Sequence, residues 1–424
     1  MSYINSIKTN KRVCVFLVLI VQLIVSLLFL KLLHAPVFEP DTNSYLYPAY
    51  NLLKIRFFSA DGVNAMYYRV PGYSIFLAAI LGIFNDLYVV CIMQIILIMG
   101  AAFLIYKSVL LYTKNELLSL IAMILFCLEI NLYIYAAAIL TEILFLFLIT
   151  LSIYLFCLWR QEPKRLAPFF GLSLAVMASL LVKPAMIYLA FLICIVLVFA
   201  VCFKKISLKH VFVYMALFVI VFGAWSFRNY IHSGHFVYST IRNVQFYQWD
   251  AQILMVNIEG ISEDEVAKIF AQKLEEKVNG RSGLNEVDIG LLQKKIGNEY
   301  IFTHFFDYFK MNTLGLTILL VGPGRFYINQ LFSNQVIRRL IELSTSGYLV
   351  LLEILYTAGI LINIKRKKLT FVDLVLLLCI GYFAVGHASL GYSRYRLTLY
   401  PLLVAGVAFL WQDIFERKFM SRIR

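Results

Sequence analysis

Two carboxylates, Glu39 and Asp41, stand two residues apart just beyond the first long apolar run of the chain. Residues at this spacing face the same side of an extended segment, and in a loop ahead of a helix both can converge on one substrate. A carboxylate at a membrane boundary is costly unless it is solvated or functional. The pair is therefore a candidate general base, and its oxygen ligands would also suit magnesium or manganese. For either residue alone, solvation is the ordinary alternative.

Five basic residues stand at the ends of other apolar runs: Arg69, Lys183, Arg228, Arg394 and Arg396. A guanidinium group at Arg69 could bind a lipid phosphate through two nitrogen atoms, and Lys183 could pair with an anionic ligand. The alternative for either residue is an ordinary interfacial side chain that reaches the lipid head groups. The other three arginines lie against the usual bias of basic residues toward the inner membrane surface. Cations in these places suggest an anionic ligand on the outer side.

Two further residues could take part in the same site. Glu142 begins an apolar run that carries no other charge as far as Trp159. Ionisable groups in such runs normally face the interior of a helix bundle or a water-filled cavity, although a structural hydrogen bond to a neighbouring helix is the alternative. Tyr45 lies, with Tyr47 and Tyr50, in an amphipathic stretch that suits an interfacial helix directly after the carboxylate pair.

The composition indicates which elements must position these residues. Hydrophobic residues make up 62% of the 424 residues, charged residues only 15%, and the mean hydropathy is +0.82. This is more apolar surface than one soluble core uses. We therefore predict an all-α polytopic membrane protein with about ten to twelve transmembrane helices. The first run, Val13 to Leu33, follows basic residues and shows no small-residue cleavage site, so we expect it to stay as an anchor.

The formal net charge of +14 is spread over short basic clusters between the apolar runs. Because no single basic face or groove is evident, nucleic acid binding is disfavoured. Basic clusters of membrane proteins gather on the cytoplasmic side, so each can serve as an inside marker. This predicts a multi-pass protein of the cytoplasmic (inner) membrane whose active site faces the extracytoplasmic side. The clusters are the N-terminus, Lys107 with Lys114, and residues 160–165, 204–209, 365–368 and 417–424.

One inside marker conflicts with a simple count of crossings. Three apolar runs, Val13 to Leu33, Val70 to Phe84 and Leu87 to Tyr106, precede Lys107. An odd number of crossings would put Lys107 outside. Either the short second run, which begins with Pro71, dips into the membrane without crossing, or the Lys107 loop breaks the rule.

The pattern divides the chain into three predicted regions. Residues 1–227 form an N-terminal transmembrane module that carries the catalytic groups and includes the outer loop 35–69. Residues 228–345 form an extracytoplasmic helical loop, and residues 346–424 form the C-terminal transmembrane helices. No internal repeat is apparent, which weakens a transporter interpretation, because many transporters are built from inverted repeats.

The extracytoplasmic loop carries its own helix signals. Ser262 and Glu265 have the spacing of a capping box, apolar residues then recur at helical intervals, and Gly280 can end the helix. Aromatic and charged residues mix from Phe302 to Leu320, which predicts an interfacial helix along the outer leaflet.

Taken in order, the short motifs of the chain resemble those of the polytopic GT-C glycosyltransferases, near the family-39 protein mannosyltransferases and the aminoarabinose transferases of lipid A. The resemblance covers most of the chain, but each motif is short. It departs at Lys183, where many relatives have arginine, and in the lack of a large soluble C-terminal domain, so the acceptor is not carried over. The motifs are Glu39 to Tyr45, Arg69 to Ala78, Leu140-Thr141-Glu142, Val182-Lys183-Pro184, Trp225 to Tyr230 and Ser393-Arg394-Tyr395-Arg396.

The resemblance implies a sugar donor on a polyprenyl phosphate, presented from the outer leaflet. It implies that Asp41 is the general base for inverting attack by an acceptor hydroxyl, that Glu39 assists or holds a metal, and that Glu142 belongs to the catalytic set. The leaving lipid phosphate needs charge stabilisation, for which Arg69 is the first candidate. The groups that could bind the donor and its phosphate are Arg69, Tyr45, Lys183, Arg228, Arg394, Tyr395 and Arg396.

Several matters stay open at this point. The acceptor could be a lipid, a glycan or a protein, membrane lipids would contact the chain, and no cofactor other than a divalent magnesium or manganese ion is indicated. A transporter or flippase for lipid-linked saccharides, and a polymerase of such saccharides, are the competing interpretations. A transporter would place ionisable residues near the middle of its spans, whereas here the charges gather at one surface.

Overall fold

The computed structural model describes residues 2–204 and 206–420. In that part of the chain it contains α-helices joined by short connections and no β-strand, so the predicted all-α class is confirmed. A π-helical segment, Gln245–Ala251, joins α11 to α12, and two 3-10 segments, Ala388–Leu390 and Ser393–Thr398, lie between α18 and α19. The α-helices are α1 (Ser2–Leu32), α2 (Asn43–Ile55), α3 (Gly72–Phe84), α4 (Leu87–Thr113), α5 (Glu116–Cys127), α6 (Ile130–Ala136), α7 (Glu142–Gln161), α8 (Leu166–Val182), α9 (Met186–Cys202), α10 (Leu208–Ser233), α11 (Ile241–Val244), α12 (Gln252–Glu259), α13 (Glu263–Val278), α14 (Glu286–Thr303), α15 (Phe305–Val321), α16 (Arg325–Leu331), α17 (Gln335–Lys365), α18 (Phe371–Gly386) and α19 (Tyr400–Met420).

The protein is a multi-pass membrane protein. Within the described residues, five helices are long and apolar enough to cross a bilayer: α1, α4, α7, α10 and α17. A sixth crossing results if α5 and α6, which meet at a bend of 56°, form one broken span. Five shorter apolar helices, α3, α8, α9, α18 and α19, bring the apolar segments to eleven. Counting four or five of the shorter helices as crossings gives ten or eleven spans, within the predicted ten to twelve.

The short helix α3 bears on the conflict at Lys107. It has 13 residues, about 20 Å of helix against a hydrocarbon core of about 30 Å. Tyr73, near its start, donates a hydrogen bond from its hydroxyl to Gln94 Oε1 in the third turn of α4 at 3.1 Å. If α1 and α4 are the two crossings before Lys107, the inside marker agrees with the count.

The helices α11 to α14 form a small unit with an apolar core of its own, built around Tyr247, Phe270 and Ile296. The predicted capping box at the start of α13 is confirmed, since the Ser262 side chain caps α13 and the Glu265 side chain accepts from the Ser262 backbone N–H. α13 ends at Val278, shortly before the glycine expected to end it. α14 ends at Thr303, at the start of the stretch from Phe302 to Leu320, and α15 covers most of it; its interfacial position stays a prediction.

A close approach of backbones fixes the loop between α18 and α19 against α15. A side chain at Gly315 would place its Cβ 1.9 Å from the carbonyl oxygen of Ala388. Only glycine therefore permits this contact. The loop that it holds carries His387 and the segment Ser393–Thr398, and both contribute to the candidate site.

Candidate active site

The Asp41 carboxylate lies between two guanidinium groups. Arg69 Nη2 donates to Asp41 Oδ1 at 2.6 Å, and Arg394 Nη2 donates to Asp41 Oδ2 at 3.0 Å. The Asp41 side chain is 31% exposed, whereas those of Arg69 and Arg394 are 6% and 18% exposed. A carboxylate with two cationic partners is strongly favoured in its charged form. Arg69 and Arg394, which lie 28 and 353 positions from Asp41 in sequence, thus meet on this carboxylate, which the sequence makes the first candidate for the general base.

Local backbone contacts set the position of this carboxylate. Asp41 lies in the turn that leads into α2, and the Asp41 carbonyl oxygen accepts hydrogen bonds from the Ser44 backbone at 3.1 Å and hydroxyl at 2.6 Å. The segment before this turn is bonded to the α6–α7 loop through Val37. The Val37 backbone N–H donates to the Ala137 carbonyl oxygen at 2.8 Å, and the Val37 carbonyl oxygen accepts from the Ile139 backbone N–H at 3.2 Å. This pairing brings the Asp41 turn beside the start of α7, where Glu142 lies.

Arg69 is held on every side. Its Nε donates to the Ser44 hydroxyl at 2.9 Å, and the rings of Tyr45 and Tyr68 each lie 4.5 Å from the guanidinium carbon. Stacked aromatic rings and hydrogen bonds in the plane of the group leave it little freedom. Arg69 is therefore a fixed cation beside Asp41.

Arg394 is held less completely. Its Nη2 also donates to the Tyr395 hydroxyl at 2.8 Å, and the Tyr395 ring lies 4.8 Å from the guanidinium carbon. Its Nε is buried without a hydrogen-bond partner. An unpartnered buried donor is an available binding position for an anion.

A second ion pair adjoins the first. Lys183 Nζ lies 3.1 Å from Glu142 Oε1, with both side chains nearly enclosed, and the lysine is also 5.3 Å from the Tyr395 ring. Lys183 follows the last residue of α8, and that helix end is fixed by Gly72, where a Cβ would lie 2.6 Å from the Leu181 carbonyl oxygen. The Arg-Val-Pro-Gly motif thus supplies both a cation, Arg69, and the close contact that places Lys183.

Glu39 is the one carboxylate of the group without a partner. No described residue forms a hydrogen bond or ion pair with its side chain. Burial raises the pKa of Glu39, the charge of Arg394 opposes that rise, and the charges of Glu142 and Asp41 add to it. The charged members of the cluster are Glu39, Asp41, Glu142, Arg69, Lys183 and Arg394.

The two neighbouring carboxylates therefore differ in basicity. Burial alone would raise the pKa of Asp41, but the charges and hydrogen bonds of Arg69 and Arg394 outweigh it and hold the pKa below 3.8. Glu39 is shifted in the opposite direction, above 4.5. Pairs of acids whose environments separate their pKa values are typical of sites in which the two groups have different tasks.

Two of the predicted cations lie elsewhere. Arg228 Nη2 donates to the Phe58 carbonyl at 2.8 Å, and its Nη1 donates to the Met66 carbonyl at the same distance. Arg396 is fully buried, with Nε and Nη2 at 3.1 and 3.2 Å from the two oxygens of Glu129. Their donors are thus engaged in holding the 58–66 loop and the interior of the bundle. A phosphate-binding role for either stays a prediction, and the cluster around Asp41 does not include them.

Several neighbours of the cluster were not predicted. Tyr68 lies over Arg69, the His387 ring stacks on Tyr395 with centroids 4.9 Å apart, and Tyr135 interacts electrostatically with Arg394, Glu39 and Glu142. Aromatic residues recur throughout an apolar chain, so their types alone give no signal. The sequence could have indicated Tyr68 as a site residue, because Tyr68 directly precedes Arg69. His387 is one of only six histidines.

The donor set around Asp41 does not fit a divalent cation. Both of its oxygens bind guanidinium groups, so the positions that a metal would take are held by positive charge. Among the described residues, no three His, Cys, Asp or Glu side chains are placed to hold a metal together. Arginine, rather than a metal, is the cationic partner of the carboxylate in this arrangement.

Comparison with known proteins identifies the fold. No family model matches the chain, and no curated protein matches its sequence. The archaeal oligosaccharyltransferase AglB from Archaeoglobus fulgidus, in complex with an inhibitory peptide and a dolichol-phosphate, aligns with a TM-score of 0.53 and 16% identity over 96% of this chain and 51% of that protein. The Archaeoglobus fulgidus oligosaccharyltransferase in complex with zinc and sulfate aligns with a TM-score of 0.50 and 15% identity over 95% of this chain and 50% of that protein.

A third structure, ArnT from Cupriavidus metallidurans in the apo state, aligns with a TM-score of 0.44 and 10% identity over 96% of this chain and 79% of that protein. A similarity of this size identifies neither fold nor activity. The chain spans about half the length of the oligosaccharyltransferase. It shares the polytopic GT-C fold of that enzyme, which confirms the fold implied by the sequence motifs.

Proposed function

We propose that this protein is a membrane glycosyltransferase that moves a sugar from a polyprenyl-phosphate donor to an acceptor hydroxyl. The observation that carries the proposal is the Asp41 carboxylate bound by Arg69 and Arg394, with the Glu142–Lys183 pair beside it. Three cations next to a base suit a reaction in which a phosphate departs as a hydroxyl is deprotonated. The oligosaccharyltransferase with the same fold is described with a dolichol-phosphate.

In the proposed reaction the acceptor oxygen attacks the anomeric carbon from the face opposite the phosphate, so the configuration inverts. The new bond joins the acceptor oxygen to that carbon, the bond from the carbon to the phosphate oxygen breaks, and the acceptor proton passes to Asp41. The phosphate leaves with its electron pair. Arg69, Arg394 and Lys183 bind the charge that it gains.

Donor binding would also release the base. While Asp41 is bound by two guanidinium groups its lowered pKa makes it a weak proton acceptor. A donor phosphate competes for Arg394, whose Nε has no partner, more easily than for Arg69, which Ser44 and two tyrosines hold in place. When Arg394 turns to the phosphate, Oδ2 of Asp41 is free to accept the acceptor proton.

The substitution Arg394→Gln tests the phosphate site. We expect it to weaken the binding of polyprenyl phosphate by about 10-fold to 100-fold, the effect of one charge-assisted hydrogen bond. Binding is measured on the purified protein in lipid nanodiscs. Arg325→Gln is the matched control, since Arg325 is 73% exposed and pairs with Glu342 away from the cluster. Equal affinities for the wild type and Arg394→Gln would contradict the assignment.

The opposite pKa shifts of the carboxylates predict the pH dependence of transfer. A carboxylate takes part in proton transfer only when deprotonated, so the assistance that Glu39 gives to the base Asp41 is present above the pKa of Glu39 and lost below it. The donor phosphodiester does not titrate near neutral pH. We expect kcat/KM of the wild type to fall as the pH drops through the pKa of Glu39, which lies above 4.5.

In Glu39→Gln this loss should disappear. The lower residual rate should then hold until the pH approaches the pKa of Asp41, below 3.8. The measurement is the pH profile of kcat/KM for both proteins. An unchanged profile in Glu39→Gln would show that Glu39 has no part in proton transfer.

The proposed site faces the extracytoplasmic side of the cytoplasmic membrane. The support for this orientation is charge distribution: α1 crosses between the basic N-terminus and the site, and α4 crosses between the site loop and the basic residues Lys107 and Lys114, which mark the inner surface. The acceptor is then a lipid, glycan or protein hydroxyl outside the cell membrane. Labelling of cysteines introduced at Asp61 and Lys114 by a membrane-impermeant reagent tests the orientation, because only the former should react in intact cells.

A further inference from the structure

The small unit formed by α11 to α14 presents polar atoms without partners toward the loop that carries Arg394. Asp250 is fully buried, and its Oδ1 has no hydrogen-bond partner. Gln245 Nε2 is likewise buried and unpartnered, while its Oε1 accepts from Arg242 Nη1 at 3.3 Å. Buried polar groups are normally satisfied, so two such atoms on one π-helical segment require an explanation. π-helical segments are frequent at functional sites.

His387 lies between this segment and the candidate active site. Its ring stacks on Tyr395 at 4.9 Å, and the Tyr395 hydroxyl accepts from Arg394, which binds Asp41. The charge of Arg242 also acts on His387. The residue directly after it in the loop, Ala388, is the one held by Gly315 of α15. The histidine is therefore fixed next to the catalytic groups.

The hydrogen bonds of His387 determine its tautomer. Its Nδ1 lies 2.9 Å from the Phe383 carbonyl oxygen, which can only accept, so Nδ1 carries the proton. Nε2 then offers a lone pair, and no described residue donates to it. Burial, together with the charges of Lys183 and Arg242, lowers the pKa of His387 to about 4, so the ring stays neutral at neutral pH.

The carboxylate on the segment is also fixed in place. Tyr308 of α15 donates to Asp250 Oδ2 at 3.2 Å, and Ser389, two residues after His387, lies near the carboxylate. Oδ1 is the free position. At Gly297 a Cβ would lie 2.5 Å from the Phe246 carbonyl oxygen, so α14 supports the π-helical segment through direct backbone contact.

We propose that His387, Arg242, Gln245 and Asp250 form the acceptor subsite, and that the acceptor is a saccharide. This proposal rests on the proposed glycosyltransferase function. The four side chains offer lone pairs at His387 Nε2 and Asp250 Oδ1, and donors at Gln245 Nε2 and the Arg242 guanidinium. Adjacent hydroxyls of a sugar ring each donate and accept, so they match this mixture, whereas a serine or threonine side chain offers one hydroxyl only.

The same arrangement gives the acceptor its direction. The chain of contacts from His387 through Tyr395 to Arg394 ends at Asp41. A sugar held by His387 and Asp250 would present one hydroxyl toward the base while the others bond to the subsite. The role of the subsite is to position the acceptor, and the acceptor proton still passes to Asp41.

The test separates transfer from hydrolysis of the donor. The donor is the pool of polyprenyl-phosphate sugars that accumulates in a deletion strain, and the acceptor is either a glycolipid extract of its membranes or a serine- and threonine-containing peptide. His387→Phe keeps the ring against Tyr395 but removes the lone pair. We expect transfer to the glycolipid to fall about 10-fold to 100-fold more than donor hydrolysis by water.

Two further variants distinguish positioning from a structural effect. His387→Gln restores an acceptor atom near the position of Nε2 and should recover much of the transfer, and Asp250→Asn should raise the KM for the glycolipid more than it lowers kcat. Equal losses of transfer and hydrolysis in His387→Phe, or transfer to the peptide rather than the glycolipid, would overturn the subsite alone. A wild-type protein that neither transfers nor hydrolyses the donor would overturn the proposed function as well.

Discussion

The substitution Asp41→Asn is expected to lower the rate of sugar transfer by about 10²-fold to 10⁴-fold, the usual contribution of a general base. Asparagine has the shape of aspartate and can still accept a hydrogen bond from Arg69, but it cannot take up a proton at neutral pH. The loss should appear in kcat, with the amount of protein in the membrane unchanged. The measurement is the initial rate of sugar incorporation, compared at equal protein abundance.

The chain offers a matched control for this substitution in the loop that follows α2. Asp61 is another carboxylate with well-formed hydrogen bonds, at 2.8 to 2.9 Å from the Ser59 hydroxyl and the backbones of Val63 and Asn64. It has no cationic partner and lies outside the cluster. Asp61→Asn should retain activity. If Asp41→Asn retained it as well, Asp41 would not be the base.

The second large effect is expected on stability. Arg396 is fully buried and makes four hydrogen bonds: two to Glu129, and two from Nη1 to the carbonyl oxygens of Leu319 and Gly322 at 2.8 and 2.9 Å. Arg396→Met would leave the Glu129 carboxylate buried without a counter-charge. Breaking a buried pair in this way costs about 3–5 kcal/mol. We expect a marked fall in the Tm of the purified protein in detergent.

Two variants show whether the lost charge is the cause. The double substitution Glu129→Gln with Arg396→Gln removes both charges and should recover part of the Tm, because no uncompensated ion remains. Arg325→Gln breaks a pair with Glu342 in which the arginine is 73% exposed and should change stability by less than about 1 kcal/mol. A Tm of Arg396→Met equal to that of the wild type would contradict a structural role for this arginine.

The neighbouring arginines illustrate what sequence patterns leave undetermined. Arg394 and Arg396 belong to one motif and are equally placed at the end of a span. In the structure they lie on a 3-10 segment, Ser393–Thr398, where residues two apart point in different directions. One therefore reaches Asp41 and the other reaches Glu129, 267 positions away. The sequence around Arg394 and Arg396 does not indicate that their partners are Asp41 and Glu129.

Other features could be predicted because they depend on local chemistry. The helical class follows from the apolar composition, and the capping box at Ser262 follows from residue types three positions apart. The order of the short motifs indicated the carboxylates and cations that the fold gathers around Asp41. Their pairing required the three-dimensional structure, since the contact between the 37–41 turn and the α6–α7 loop joins two loops distant in sequence.

Hydropathy predicted the class and the number of apolar segments, and the structure adds their lengths. α3, with 13 residues, and α8, with 17, are as apolar as the long spans but shorter, about 20 and 25 Å of helix against a hydrocarbon core of about 30 Å. Both have an end close to the site: α3 begins against the end of α8, and α8 ends at Lys183. Short helices of this kind let charged residues enter the bundle near one membrane surface.

The central claim is that this protein consumes a polyprenyl-phosphate sugar with Asp41 as base. The most direct measurement is mass spectrometry of the lipid-linked sugars of a deletion strain after incubation with the purified protein in nanodiscs and with a membrane extract of the same strain as the acceptor, which follows their conversion to free polyprenyl phosphate and glycosylated acceptor. We predict conversion by the wild type and almost none by Asp41→Asn. A lipid-linked sugar pool that the wild type leaves intact, or that Asp41→Asn converts at the wild-type rate, would contradict the claim.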